Sequence, residues 1–263
     1  MIDKCPVCGN ERESYFRATI LKKHNINYLF CNNCGLLQTE NPYWLEEAYS
    51  SAIANVDTGL VSRNLDISKK LACVLFFLFD KNGKYLDVGG GYGMLTRLMR
   101  DIGFDFYWSD LYCENLLSKG FEAFNTTKPF SAITAFELLE HIYDPVEYIK
   151  QSLTEAETST IIFSTELFEG SPPSPSSWWY YTLSTGQHIS FYQRKTLEYL
   201  AQKLSLSLLS NNKNFHVLTN RKVDSRFFAI LNNHRVLRLL YRYVITNMKS
   251  KTFSDYNQLQ NFF

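Results

Sequence analysis

The sequence predicts an α/β fold: a parallel sheet with helices on both faces, preceded by a small cysteine-bearing module. Three observations predict it. From residue 84 onward, short apolar runs alternate with stretches of helical periodicity. The run YLDVGGGYG leads the first of these strands into a glycine-dense turn. Ahead of both stand two Cys-x-x-Cys pairs, CPVC and CNNC, with little helical pattern around them.

The elements follow in order. Residues 1–42 form the cysteine module, which ends near ENPYW, where Pro42 punctuates the chain. Residues 43–82 read as a helical linker or lid. In RNLDISKKLACVLFFLFD, apolar residues fall at 65, 67, 71, 74, 75 and 78, close to helical spacing, and Asn82-Gly83 ends the run. The α/β domain spans 83–222. KYLDV is a buried strand, YGMLTRLMRDI a helix and FDFYWSD a second strand. SAITAF is a later strand, DPVEYIKQSL a helix with Pro145 at its first position, and STIIFST another strand. After the loop SPPSPSS comes the aromatic stretch WWYYTLSTGQHISFY, and then the helix KTLEYLAQKL. LSLLS and FHVLT close the domain as strands around an Asn-rich turn. Residues 223–263 form a helical extension, with one helix over 226–249 that carries Arg226, Arg235, Arg238 and Arg242.

Bulk composition narrows the function classes. A 45% hydrophobic and 20% charged chain has the makings of a full globular core. A net charge of +1 gives no general attraction to nucleic acid. The opening MIDKCPVCGN lacks an apolar run and does not read as a signal peptide. The most apolar segment, LACVLFFLFD, is about ten residues, too short to span a bilayer. The expected location is cytoplasmic, where cysteines more often bind metal than form disulfides. Cys5, Cys8, Cys31 and Cys34 therefore read as four thiolates for a tetrahedral Zn²⁺, closed to water and so structural. Cys73 and Cys113 read as core thiols.

The glycine loop points to a ligand. Gly89, Gly91 and Gly93 let the backbone approach a bound group, and the following helix offers N–H donors. The dinucleotide pattern G-x-G-x-x-G fails, because Met94 or Thr96 stands where the third glycine belongs, and no Walker motif exists. Two acids accompany the loop. Asp110, at the end of the second strand, can accept both ribose hydroxyls of an adenosyl group. Asp87 serves either the ligand or the loop's own backbone.

YLDVGGGYG, WSD and FELLEHIYDP together resemble the class I methyltransferases that bind S-adenosylmethionine (SAM), over roughly residues 84–200. The resemblance implies a Rossmann-like methyltransferase sheet. It places Asp87, Gly89, Gly91 and Gly93 around the methionine and ribose end of SAM, and Asp110 on the ribose hydroxyls. It places Phe136 and Glu137 beside the sulfonium, Asn125 or Thr126 near the adenine, and Arg63 on the methionine carboxylate. In ELLEH, Glu140 reads otherwise as an ordinary helix start, and His141 as a side chain bonded to a backbone carbonyl.

The aromatic stretch follows the strand STIIFST, at the carboxyl edge of the predicted sheet, where ligands of such sheets bind. Trp178, Trp179, Tyr180 and Tyr181 can form a wall for a sugar-like face, with at least two of the four expected in the core. Gln187 and His188 bring polar groups to the same edge. His188 is the first candidate to take a proton from an acceptor hydroxyl, with Glu137 and His141 next. His24, His216 and His234 have no comparable context.

The four cysteines, the glycine loop, FELLEH and GQHISFY together are similar to zinc-binding bacterial methyltransferases of surface-polysaccharide and deoxysugar pathways. In such relatives tyrosines ahead of the first strand reach the active site, which makes Tyr49 a candidate. Their sugar C-methyltransferase relatives carry a further C-terminal domain for which this sequence has no room. The expectation is therefore O-methylation of a sugar, nucleotide-sugar or glycan acceptor. Two alternatives stay open: an RNA methyltransferase with a zinc module, and a non-catalytic zinc-bearing interaction domain. The arginines of the last helix meet RNA in the first case. Otherwise they lie against anionic lipid, as a peripheral membrane contact, or in water.

Overall fold

A computed structural model of the chain describes residues 3–49 and 57–260. In chain order the strands and helices are β1 (Glu13–Ile20), β2 (His24–Phe30), β3 (Leu37–Thr39), α1 (Leu45–Ala48), α2 (Leu60–Leu78), β4 (Lys84–Val88), α3 (Met94–Ile102) and β5 (Asp105–Ser109). They continue as β6 (Ala132–Ala135), α4 (Pro145–Glu155), β7 (Thr160–Phe163), β8 (Ser190–Phe191), α5 (Arg194–Lys203), β9 (Ser207–Ser210) and β10 (His216–Thr219). The chain ends in α6 (Ser225–Ile230), α7 (His234–Asn247) and α8 (Thr252–Gln260). They divide into two compact units. The first comprises Met1–Ala54, Phe136–Ser152 and Ile161–Asn220, and the second Asn55–Ala135, Leu153–Thr160 and Arg221–Phe263.

The first unit holds an antiparallel sheet in the order β1-β2-β3-β8. Leu21 and Lys22 turn the β1–β2 hairpin with positive φ, the backbone that lets a tight hairpin follow the strand twist. The last strand comes from far along the chain, with Leu37 opposite Phe191 and Gln38 opposite Ser190. The core beneath is shared in the same way. Ile20, Ile26, Tyr28 and Trp44 pack with Tyr180, Tyr181, Ile189 and Phe191. The same unit contains the strand set β7-β10-β9. β7 and β10 are buried throughout, as strands covered on both faces are. β9 is buried only at Leu209. α4 begins at Pro145, with the Asp144 carboxylate accepting the Glu147 N–H at 3.1 Å.

In the second unit β4 lies between β5 and β6, parallel to both. Tyr85, Leu86 and Asp87 on β4 are buried, so the central strand carries an acid inside. α3 starts at Gly93 and ends at Gly103, both at positive φ. Its Leu95, Thr96, Met99 and Arg100 face inward at helical spacing. α2 packs against α3 and α7. The rings of Phe76 and Phe77 meet Tyr243, and Phe77 also meets Phe227.

The single helix expected over 226–249 is two. α6 ends at Ile230, and Asn233 opens α7 by accepting the N–H groups of Arg235 and Val236. Periodicity runs on across the break, but an Asn side chain competes well for free N–H groups. α8 is a further helix. Asp255 on it takes two hydrogen bonds from Arg100 of α3, at 2.8 and 2.7 Å, and one from Arg97 at 2.9 Å. Among the described residues no helix is long and apolar enough to cross a membrane.

Candidate functional site

In the second unit, β4 delivers the chain into the glycine loop. Gly89, Gly91 and Gly93 all have positive φ. A Cβ on Gly93 would meet Ser118 Oγ at 2.4 Å and Asn115 Oδ1 at 2.6 Å, so close approach as well as backbone conformation requires glycine there. Gly90 is a fourth special position, since a Cβ there would press on the Trp108 ring at 2.7 Å. The loop is pinned through Gly91. Its N–H donates to Asp110 Oδ2 at 2.9 Å, and its carbonyl accepts from Trp108 Nε1 at 2.8 Å. The other Asp110 oxygen accepts the Tyr112 and Cys113 N–H groups at 2.7 and 2.8 Å. One carboxylate thus ties the glycine loop to the turn after β5.

Asp87 faces inward instead. It accepts the Thr134 hydroxyl at 2.7 Å and the Thr96 hydroxyl at 3.5 Å, and no loop N–H among the described bonds. Burial pushes its carboxyl up to about 7, against the pull of the two threonines and with a further push from Asp110. A Cβ on Gly90 would lie 3.0 Å from Asp87 Oδ2, so the carboxylate sits against the loop.

Arg63 on α2 forms a bidentate pair with Asp57, at 2.9 and 2.7 Å. That carboxylate occupies the fork which the resemblance assigns to the methionine carboxylate. Asn125 lines a cleft of about 550 Å³ together with Trp108, Asn115, Glu122 and Leu259. Its amide donates to Glu122 Oε2 at 2.9 Å and Gly120 O at 3.2 Å. Thr126 follows it directly in extended backbone.

In the first unit, the ring of Phe136 lies 5.7 Å from that of Phe215. Glu137 has φ +53, left-handed backbone that a non-glycine residue adopts at a cost of about 1–3 kcal/mol. Ser164 compensates for it: its hydroxyl accepts the Glu137 N–H at 2.7 Å and donates to the Glu137 carboxylate at 2.6 Å. Leu139–His141 form a short 3₁₀ turn rather than the helix start that ELLEH allows. That turn places Glu140, fully buried, and His141 beside His188.

The two histidines are oriented alike. His141 Nδ1 lies 3.0 Å from Gln187 O, and His188 Nδ1 lies 2.7 Å from Tyr180 O. A carbonyl only accepts, so each Nδ1 carries a proton, and in the neutral ring each Nε2 carries the lone pair. Burial holds His141 down to about 4, against the carbonyl's upward pull, so its ring is neutral at ordinary pH. The rings meet edge to face with centroids 4.8 Å apart, and the Tyr49 ring lies 6.1 Å from that of His141. One carboxylate oxygen of Glu140 and one nitrogen from each ring all lie within 4.8 Å of one another.

The sequence predicts at least two of the four rings in the core, and Tyr180 and Tyr181 are the two found there, so they leave the wall. Tyr180 and Tyr181 are 2% and 1% exposed and belong to the core under the first sheet. Tyr180 shares a hydrogen bond with Thr165, and Tyr181 donates to Pro173 O at 2.8 Å. Trp178 packs on the same core, while Trp179 is 72% exposed. Large apolar area drives rings inward wherever a core can take them. Gln187 is also buried, with its amide donating to Ala48 O at 2.9 Å. Trp179 is the one ring of the four turned to solvent, and the Tyr180 carbonyl lies 2.7 Å from His188 Nδ1.

The four cysteines converge in the first unit. Cys5 and Cys34 Sγ are 3.5 Å apart, and Cys8 and Cys31 Sγ are 3.4 Å apart. Tetrahedral zinc with Zn–S of 2.3 Å needs sulfurs about 3.8 Å apart. The hydrogen bond from Cys34 pulls the Cys5 thiol down to about 5, while that bond and burial push Cys34 far up. Four thiolates in one place need a cation, and this donor set fits a closed tetrahedral site.

Several site residues lie outside what the sequence pattern picks out. Ser164 and the Tyr180 carbonyl gain their places only through folding. Gly90 carries a signal, an extra glycine inside the motif, but not one that separates it from its neighbours.

A family model described as a methyltransferase domain matches residues 63–211. No curated protein matches the chain. Among solved structures, TnmH is 15% identical over 68% of this chain and 62% of its own, with a TM-score of 0.47. An O-methyltransferase family 2 protein from Planctomyces limnophilus is 11% identical over 62% of this chain and 60% of its own, also at 0.47. The Burkholderia thailandensis 1,6-didemethyltoxoflavin-N1-methyltransferase is 12% identical over 80% of this chain and 100% of its own, at 0.47. The chain spans less than two thirds of the length of the first two. With the family model covering more than half of its residues, the chain belongs to the methyltransferase-domain family.

Proposed function

We propose that the protein is a SAM-dependent methyltransferase that O-methylates a sugar, nucleotide-sugar or glycan, in surface-polysaccharide biosynthesis and in the cytoplasm. Family membership supports the methyl donor. The observation that carries the acceptor chemistry is the pair of imidazoles, each with Nδ1 held by a backbone carbonyl. The glycine loop, Asp110 and Phe136 would hold the donor, with Asp87 against the loop and Asn125 at the cleft. SAM supplies an activated methyl group on a sulfonium. The remaining demands are alignment of the acceptor oxygen and loss of its proton. His188 and His141 answer the second, with Glu137 on its strained backbone beside them in the sequence motif. Tyr49 and Trp179 are the proposed acceptor contacts. Zn²⁺ on Cys5, Cys8, Cys31 and Cys34 is structural in this reading, and residues 1–42 are its module.

One observation keeps a second reading in view. Arg235, Arg238 and Arg242 are all exposed on α7, and they suit an anionic partner, either RNA or a membrane surface. The test is transfer of labelled methyl from SAM into separated polysaccharide, nucleotide-sugar, RNA, protein and small-molecule fractions. Label in carbohydrate supports the proposal. Label in RNA replaces it with the second reading.

A further inference from the structure

We propose that Glu140, His141 and His188 form a binding site for one divalent transition-metal cation, with an open position for the acceptor oxygen. The second half of this proposal rests on the methyltransferase reading, whereas the first does not.

The donor set is the first argument. Two imidazole nitrogens and one carboxylate oxygen lie within 4.8 Å of one another, about the span that modest side-chain contraction brings to metal distance. Two nitrogens and one oxygen suit Zn²⁺, Mn²⁺, Fe²⁺ or Co²⁺ better than Mg²⁺ or Ca²⁺, which prefer oxygen throughout.

Orientation is the second. A ligating histidine normally gives its other N–H to a carbonyl or carboxylate, which fixes tautomer and ring angle. Here both rings do so, His141 to Gln187 O at 3.0 Å and His188 to Tyr180 O at 2.7 Å. The lone pair of each neutral ring is then on Nε2.

The third is the frame. The Ile189 N–H donates to Glu140 O at 2.8 Å, and Tyr192 donates its hydroxyl to Leu139 O at 2.7 Å. The segment that carries His188 is thereby fastened to the turn that carries Glu140 and His141. Glu140 is fully buried, and its charge reaches the phenols of Tyr180 and Tyr192, pushing both up further than burial alone. Its carboxylate adds the oxygen donor to the two imidazoles.

Three protein donors leave coordination positions open, as catalytic metal sites do. An acceptor hydroxyl there loses its proton to water more readily. Its oxygen pair then forms the C–O bond as the C–S bond of SAM breaks, with that pair remaining on sulfur. With the metal bound, His141 and His188 serve that proton loss as ligands; in the metal-free protein they serve it as bases.

The test is Mn²⁺ titration of the full chain with zinc in the four-cysteine site, followed by electron paramagnetic resonance. One Mn²⁺ per chain is expected, with affinity at least tenfold weaker in Glu140→Gln and in His188→Gln. Zinc content and far-ultraviolet circular dichroism confirm that both variants fold. Anomalous scattering from Mn²⁺-soaked crystals, placed between the two Nε2 atoms and Glu140, supports the site independently. No Mn²⁺ binding, or binding that neither substitution weakens, overturns it. Mn²⁺ binding without methyl transfer to any fraction supports the site and overturns the methyltransferase reading. Methyl transfer without Mn²⁺ binding does the reverse.

Discussion

His141 and His188 stand edge to face, their ring centroids 4.8 Å apart, each fastened through Nδ1 to a backbone carbonyl. Neither ring can turn without giving up a hydrogen bond, so the pair is set before any ligand arrives. His141→Gln is therefore expected to lower kcat by about 100-fold or more while leaving SAM affinity unchanged. Steady-state kinetics beside calorimetric titration of SAM checks this. A loss confined to SAM affinity would remove His141 from the chemistry.

Asp110 joins the glycine loop to the turn after β5 through three N–H groups. Asp110→Ala removes the charged acceptor and loosens the loop together. Hydrogen bonds to charged groups contribute about 1.5–3 kcal/mol, so S-adenosylhomocysteine should bind about 10- to 100-fold more weakly. Calorimetry measures it directly, and unchanged affinity would place the donor elsewhere.

Asp87 gives a pH signature. Its folded carboxyl holds a proton up to about 7, whereas an unfolded one releases it near 4. Through that window the folded chain binds more protons than the unfolded chain, so this group's contribution to stability falls as pH rises. Asp87→Asn removes the loss. Its Tm should gain on the wild type between pH 4 and 7, and the gain should level off above 7. A constant difference across the range would contradict the assignment.

α8 depends on a buried ion pair. Asp255→Ala leaves Arg100 buried without its main partner, a change that typically costs about 3–5 kcal/mol. Asp255→Ala with Arg100→Met should regain much of that stability in urea unfolding. Equal destabilisation by the double variant would mean that packing, not charge, holds the helix.

Cys34→Ser removes one thiolate from the proposed zinc site. The variant should lose zinc in elemental analysis and melt at lower temperature than the wild type, since structural zinc contributes folding energy outright. Full zinc content in this variant would rule out the four-thiolate site.

Local patterns made much of this legible. KYLDV became β4 because a buried run ahead of glycines has few alternatives, and Pro145 marked the first turn of α4 where an N–H is dispensable. Spacing alone puts two thiols on each knuckle, and the fold brings the two knuckles together. What escaped was non-local. β8 is two residues long and exists as a strand only because β3 lies beside it. Which two of the four rings join the core had no local signal, because burial of a ring is decided by what arrives opposite, here Tyr28 and Phe191. α8 has weak periodicity, and its anchor, Arg100, lies far upstream. Glu140 and His188 are likewise far apart in sequence, so their meeting has no local signal.

The most direct test of the account is the initial rate of labelled-methyl transfer from SAM to the carbohydrate fraction, for the wild type and His188→Ala, with SAM binding measured on both. The account predicts label in the wild type, a loss of about 100-fold or more in the variant, and equal SAM affinity. Wild-type protein that binds SAM and labels no fraction, or a variant that labels as fast as the wild type, would contradict it.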